Sequence, residues 1–316
     1  MGKIPIGILN STVLRMVGAR SDRVVTPAKA GVDFAAIRVG SGYAVVSSDP
    51  VTGVSREIGR YAVTVSANDV ATCGHAAQFA ESVILLPEGS TSDDVGRVAR
   101  QIHRGAKDAG IAIVGGHTEV TPGLRRPVVM VTAFGFVEDY VSSCDARAGD
   151  TIMMSKTAGL EGTAVLTGSR KLLDDLSVIP EATLAYATGN VHAMHDCTEG
   201  GVLGAIFEMA LAAGIGFELS AESVPVADAT EKVCRKMGLD PLRLIGSGAL
   251  LFSVESGKEE EVVEAVSPVR VTPIGRFTSS GRSLIGKAGR RTLIRSAPED
   301  ELWRVFGRSS RGRDGL

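Results

Sequence analysis

The chain reads as an α/β (α+β) protein of two domains, residues 1–145 and 146–300, followed by a short tail over 301–316. Three observations predict this. Its 316 residues exceed the usual size of one domain. Short apolar runs bounded by turn residues alternate with stretches of helical period. Around residues 139–150 the pattern turns polar and small, which places the boundary there. With 44% hydrophobic and 22% charged residues the composition is that of an ordinary globular protein, and 38 glycines imply many tight turns and close backbone approaches.

Taken in order, residues 8–17 have helical spacing and 18–31, with Pro27 and several polar residues, read as a loop. Two strands, 34–39 and 43–48, are joined by Gly40-Ser41-Gly42. That Gly-x-Gly joins two strands and opens no helix, so it is a hairpin and not a dinucleotide fingerprint. A helix begins near Glu57. Residues 79–86 form a strand closed by Pro87, and 91–109 a helix with Asp93 and Asp94 in its first turn, where the helix dipole favours negative charge. A short strand, 111–114, ends in a bend at Gly115-Gly116-His117-Thr118-Glu119, and a longer strand covers 128–137. In the second half, strands at 151–155, 217–219, 249–254 and 270–274 alternate with helices at 200–213, 229–237 and 259–265, a helix layer on a mixed sheet. After Glu301-Leu302-Trp303 the last ten residues are Gly, Ser, Arg and Asp with one Leu, and disorder is expected.

On the helix after Glu57, Ile58, Ala62, Val65 and Asp69 fall at i, i+4, i+7 and i+11, so a carboxylate continues an apolar stripe. A buried unpaired carboxylate costs several kcal/mol, so Asp69 needs a partner, hydrogen bonds or a metal ion. Asp33, Asp49 and Asp196 likewise sit at element ends beside small residues. Magnesium takes oxygen ligands, commonly one or two carboxylates plus substrate phosphates, which makes these residues candidates for a magnesium–nucleotide site. The bland alternatives are a turn role for Asp33 and Asp49, a helix cap for Asp196 and backbone hydrogen bonding for Asp69. Gly200-Gly201 at a helix start can offer backbone N–H groups to phosphate, and Gly115-Gly116 makes a second such bend. Residues 281–288 approach a Walker A pattern but carry Ala288 where Ser or Thr is required, with no good helix after it.

Several classes are disfavoured. A formal net charge of −2 and 4% aromatics argue against a nucleic-acid partner. No signal peptide and no apolar run of about 18 residues argue against export and membrane spanning. Cys73, Cys144, Cys197 and Cys234 form no Cys-x-x-Cys pair, which fits reduced thiols and a cytoplasmic protein. Cys73 and His75 could be half of a zinc site, but no second pair has ligand spacing.

The order of Gly31-Val32-Asp33-Phe34-Ala35-Ala36, Ser48-Asp49-Pro50, Asn68-Asp69, Gly115-Gly116-His117-Thr118, Asp196-Cys197-Thr198-Glu199-Gly200-Gly201, Ser247-Gly248-Ala249-Leu250-Leu251 and Pro273-Ile274-Gly275 carries a resemblance. It resembles the superfamily that includes aminoimidazole-ribonucleotide synthetase, selenophosphate synthetase, thiamine-monophosphate kinase and the hydrogenase-maturation carbamoyl dehydratase, over about residues 5–277. The likeness implies an N-terminal domain whose sheet pairs with that of a second copy in a homodimer, and ATP on Mg2+ between the domains. Carried over, Asp33, Asp49 and Asp69 look like metal ligands. Asp33, Asn68, Asp69, Gly115, Gly116, Thr118, Gly200 and Gly201 look like ATP and phosphate contacts, and Asp196 and His117 like catalytic residues. His117 stands where some members have an acidic residue. The hydrogenase-maturation branch, which the N-terminal half resembles most, ends in a cysteine that carries the group being dehydrated. Here the last cysteine is Cys234 and the sequence stops at Gly-Leu, so that chemistry in its known form is not expected.

The resulting expectation is an ATP-dependent enzyme that phosphorylates an oxygen of a small-molecule substrate. Such catalysis is mostly positioning and charge neutralisation. The alternative is a nucleotide-binding homodimer with reduced chemistry that acts as a partner or regulatory subunit.

Overall fold

The structure, a computed structural model, describes residues 2–52, 57–169, 172 and 174–311, and only the backbone of 307–311. Two sheets organise it. The first has six strands: β1 (Val24–Thr26), β2 (Ala35–Val39), β3 (Gly42–Val51), β4 (Phe79–Leu86), β5 (Ala112–Val120) and β6 (Val128–Val137), in the order β1-β2-β3-β6-β4-β5. Only β4 and β5 run parallel, because the helix between them supplies the crossover. One face is covered by α2 (Ile58–Ala71) and α3 (Ser92–Ala109), preceded by a short α1 (Ile6–Ser11). Strict alternation on β6 buries Val129, Val131 and Ala133 completely beneath the helices.

The opposite face of this sheet stays open. Phe79, Phe134 and Phe136 cluster there with ring centroids 5.6 and 6.4 Å apart, and Phe136 is 51% exposed.

The second sheet has seven strands: β7 (Thr151–Ser155), β8 (Val191–Asp196), β9 (Gly216–Ser220), β10 (Leu250–Val254), β11 (Val271–Thr278), β12 (Arg282–Ile285) and β13 (Arg291–Leu293). Their order is β13-β12-β9-β11-β7-β10-β8. Its helices are α4 (Leu160–Thr167), α5 (Ile179–Ala187), α6 (Gly201–Ala213), α7 (Asp228–Met237) and α8 (Glu259–Val266), with α9 (Glu301–Arg311) at the C-terminal end.

Local rules account for most of these elements. Thr91 caps α3 in a reciprocal capping box with Asp94, and Gly110 ends the helix in the left-handed conformation. The stripe Ile58, Ala62, Val65 and Asp69 is buried as expected, and α2 is nearly buried all round. Four expectations need correction. The helix expected over 8–17 is only α1 and a 3₁₀ turn, Val13–Arg15, because Thr12 turns its hydroxyl back to the Ile8 carbonyl at 2.6 Å and leaves helical geometry. The loop over 18–31 contains the edge strand β1. Gly115-Gly116 makes no bend: β5 runs through it, and a register shift near Ala80 and Glu81 absorbs the extra residue. Residues 301–311, expected to be disordered, are helical, since Leu302 and Glu301 bury against α7 and Arg243; the rest of the tail lies outside the described residues. The helices α4 and α5 and the strands β8, β12 and β13 were not anticipated.

Candidate active site between the two sheets

Three segments of the first unit and two of the second converge on one buried cluster. Asp33 arrives on the loop before β2. That loop passes so close to α6 that a Cβ on Gly31, whose φ is +83°, would lie 2.3 Å from the Glu208 carbonyl oxygen. Only glycine meets both demands there. Asp49 stands near the end of β3, opposite Val131 and on the face toward α2. Asp69 comes from α2 and Asp196 from the last position of β8, beside Leu250 of the neighbouring strand. Asp33 and Asp196 are thereby brought together with His195, one ligand atom of each lying within 4.8 Å of the others.

Asp69 accepts a hydrogen bond from Ser47 Oγ at 2.8 Å and has Asp49 as its carboxylate neighbour. Burial, then the Asp49 hydrogen bond and the charges of Asp49, Asp196 and Asp33, push its carboxyl well above the usual carboxylate range. Burial likewise raises Asp196 well above its ordinary value, helped by repulsion from Asp33. Burial raises Asp33 to about 6, although His195 opposes the shift. Burial alone would depress the His195 imidazolium, but Asp33, Glu208 and Asp196 together raise it to about 9. Glu208 is held at about 2: burial pushes it up and is outweighed by Lys3 and His195.

The cluster is short of hydrogen-bond partners. Asp33 Oδ2, both carboxylate oxygens of Asp196 and His195 Nε2 are buried with none. Such groups cost about 1–3 kcal/mol each, more when charged, so their presence together marks a place built to receive something. The donor set is mainly carboxylate oxygen, which fits a hard divalent cation.

Other expected contacts are placed differently. Asn68 is fully buried, its Nδ2 donating to the Leu176 carbonyl at 2.8 Å and its Oδ1 accepting from the Val178 N–H at 2.9 Å. Its amide is spent on clamping the two units together. The Gly200 N–H donates to Asp300 Oδ2 at 2.7 Å and the Gly201 N–H to the Thr198 carbonyl at 3.0 Å, so both are engaged. Gly115, Gly116, His117 and Thr118 lie on the exposed edge strand β5. His117 is in register with Val83, Met130 and Pro50, one position off the row of Asp49, so it points to the open face of the sheet. Three strand spacings, roughly 14 Å, separate the two rows' ends. Within one chain His117 therefore does not join the cluster; it pairs with Glu119 at 3.1 Å.

Sequence reasoning missed His195, Glu208 and Lys3. Lys3 Nζ reaches Glu208 Oε2 at 3.0 Å from the far end of the chain, and Glu208 Oε2 lies 3.4 Å from His195 Nε2. Glu208 is the lone charge in α6, Gly-Val-Leu-Gly-Ala-Ile-Phe-Glu-Met-Ala-Leu-Ala-Ala. That is the signal that singled out Asp69. Nothing in sequence spacing announces Lys3.

Two sheets with their helices, both contributing to one buried carboxylate cluster, define the class: an α/β enzyme. The chain belongs to the AIR synthase related protein family, matching its N-terminal domain over residues 31–137 and its C-terminal domain over 147–286. It is 30% identical over 261 residues to the carbamoyl dehydratase HypE of Escherichia coli K12, covering 79% of this chain and 75% of that one. It is 27% identical over 260 residues to a putative hydrogenase expression/formation protein of Methanocaldococcus jannaschii, covering 77% and 76%. Its fold matches the crystal structure of the hydrogenase maturation protein HypE in complex with ATP, with a TM-score of 0.74 at 23% identity over 94% of this chain and 95% of that one.

Proposed function

We propose that the protein binds Mg-ATP at the cluster of Asp33, Asp49, Asp69 and Asp196 and transfers a phosphoryl group to an oxygen of a small molecule, activating it. The observation that carries this reading is the set of buried carboxylate oxygens without partners, contributed by both halves. Family membership and a fold-mate solved with ATP support it. Asp33, Asp49, Asp69 and Asp196 would hold magnesium, which would neutralise the charge that develops on the phosphate groups. The chain's own task is to place the acidic oxygens. Ser47 fixes one Asp69 oxygen, while the loop at Gly31 pins Asp33 against α6. Because the groups are already dehydrated, they are oriented before the nucleotide arrives, which is where electrostatic catalysis gains most.

Carboxylates left unpaired in a protein interior are costly to keep, which favours retained chemistry over a purely regulatory role. We further propose domains at 1–145 and 146–300 and a homodimer through the open sheet face around Phe79, Phe134 and Phe136. Among the described residues no helix is long and apolar enough to cross a membrane.

The test is a thermal-shift series with Mg-ATP on the wild type and Asp69→Asn. Ligand at about 100 times its dissociation constant should add about 2.7 kcal/mol. An equal shift in both proteins would remove Asp69 from the site.

A further inference from the structure

We propose that His195 Nε2 is a direct ligand, with Asp33 and Asp196, of a divalent first-row transition ion, so that this part of the site takes Mn2+ or a similar nitrogen-accepting cation. The inference rests on the reading that Asp33 and Asp196 face a cation and goes beyond it in naming a nitrogen donor and the class of ion.

His195 Nδ1 lies 2.8 Å from the backbone carbonyl of Asp196, which can only accept, so Nδ1 carries a hydrogen. In the neutral ring Nε2 then holds the lone pair. It is aimed at two anionic oxygens, Asp33 Oδ1 at 3.3 Å and Glu208 Oε2 at 3.4 Å, in a side chain only 2% exposed, and it has no hydrogen-bond partner. In the metal-free protein the two facing carboxylates draw a proton to Nε2; a divalent cation would displace that proton and take the lone pair in its place. An N–H donating to a backbone carbonyl on the far side of the ring is also the usual outer support of a metal-binding histidine.

Distances and donor types agree with a metal. Around a cation with bonds of about 2.1–2.2 Å, adjacent ligands sit about 3.0–3.1 Å apart and opposite ones about 4.2–4.4 Å. The Nε2–Oδ1 separation of 3.3 Å suits adjacent ligands, and one atom from each of the three lies within 4.8 Å of the others. Asp33 Oδ2 and both oxygens of Asp196 have no competing partner. Oxygen-only sites suit magnesium, whereas imidazole shifts preference along the first transition row. Charged groups around this position also include Asp49 and Asp69, and Lys3 Nζ, which ties Glu208 at 3.0 Å and keeps it in the outer shell.

The test uses the full chain with Mn2+ as probe and pulsed electron paramagnetic resonance as readout. Protein grown with 14N- or 15N-histidine should show nitrogen coupling to Mn2+ that changes with the isotope. His195→Gln should abolish it and weaken Mn2+ binding at least about tenfold, the low end of what even outer-shell losses cost. His75→Gln, at the exposed ring beside Asp139, should keep it. Isotope labelling tests the wild type even where His195→Gln fails to fold. Bound Mn2+ without nitrogen coupling, or coupling that survives His195→Gln, overturns the proposal. If Mg-ATP still shifts the melting temperature in that case, the phosphoryl-transfer reading stands and only the nitrogen ligand falls. If neither Mn2+ nor Mg-ATP binds, both fall.

Discussion

Replacing Asn68 with alanine separates a structural clamp from a phosphate contact. The side chain joins α2 of the first unit to the backbone of Leu176 and Val178 in the second through bonds of 2.8 and 2.9 Å, with no exposed surface. Alanine leaves one buried carbonyl and one buried N–H without partners. At about 1–3 kcal/mol for each unsatisfied group, the expected loss is about 3 kcal/mol. For folding units of this size that lowers the melting temperature by about 6–12 °C. The assay is a melt of wild type and Asn68→Ala, each with and without saturating Mg-ATP. The expected result is a lower melting temperature with the Mg-ATP shift kept. An unchanged melting temperature with the shift abolished would mean that Asn68 binds the nucleotide and that its two backbone bonds are incidental.

Other consequences are as direct. Gly31→Ala combines a left-handed backbone with a Cβ 2.3 Å from the Glu208 carbonyl oxygen, so it should cost about 3 kcal/mol or more, seen in urea unfolding; a neutral effect would dissolve the tight approach of the Asp33 loop to α6. Asp33 binds its proton more tightly when folded, its carboxyl raised from 3.8 to about 6, so its favourable contribution is present below about pH 4 and lost as pH rises toward 6. The stability of the metal-free wild type relative to Asp33→Asn should therefore fall across pH 4–6, and a difference that stays level or rises would contradict the burial of an unpaired carboxylate. His195 acts in a second window: raised from 6.5 to about 9, its contribution is complete below pH 6.5 and lost as pH rises through 9, so stability relative to His195→Gln should decline across that range. Sedimentation at low micromolar concentration should give a dimer, and Phe136→Lys on the open sheet face should dissociate it; a wild-type monomer would exclude pairing through that face.

What could be read in the sequence follows from where the determining forces are local. The long helices and strands were legible because amphipathic period and capping residues lie within one segment, as with Thr91, Asp94 and Gly110 around α3. Asp69 was legible as the single charge in an apolar stripe, and Glu208 carried the same signal in α6. The helices α4 and α5 escaped because they are short and mostly apolar or small, and the one charge in each, Glu161 and Glu181, is buried, which leaves little polar face to mark a period. Gly115-Gly116 looked like a bend, yet pairing with β4 holds it extended; tertiary context overrode a local preference. Lys3 and the roles of Asn68 and Asp300 depend on partners about 100 to 205 residues away, which no spacing rule reaches.

The most direct measurement is calorimetric titration of Mg-ATP into the wild type, Asp33→Asn and Asp69→Asn. The wild type should bind saturably, with affinity at least about tenfold weaker, about 1.4 kcal/mol, in each variant. Wild type that binds no Mg-ATP, or variants that bind it as tightly as the wild type, would contradict the claim that the buried carboxylates are a nucleotide–metal site.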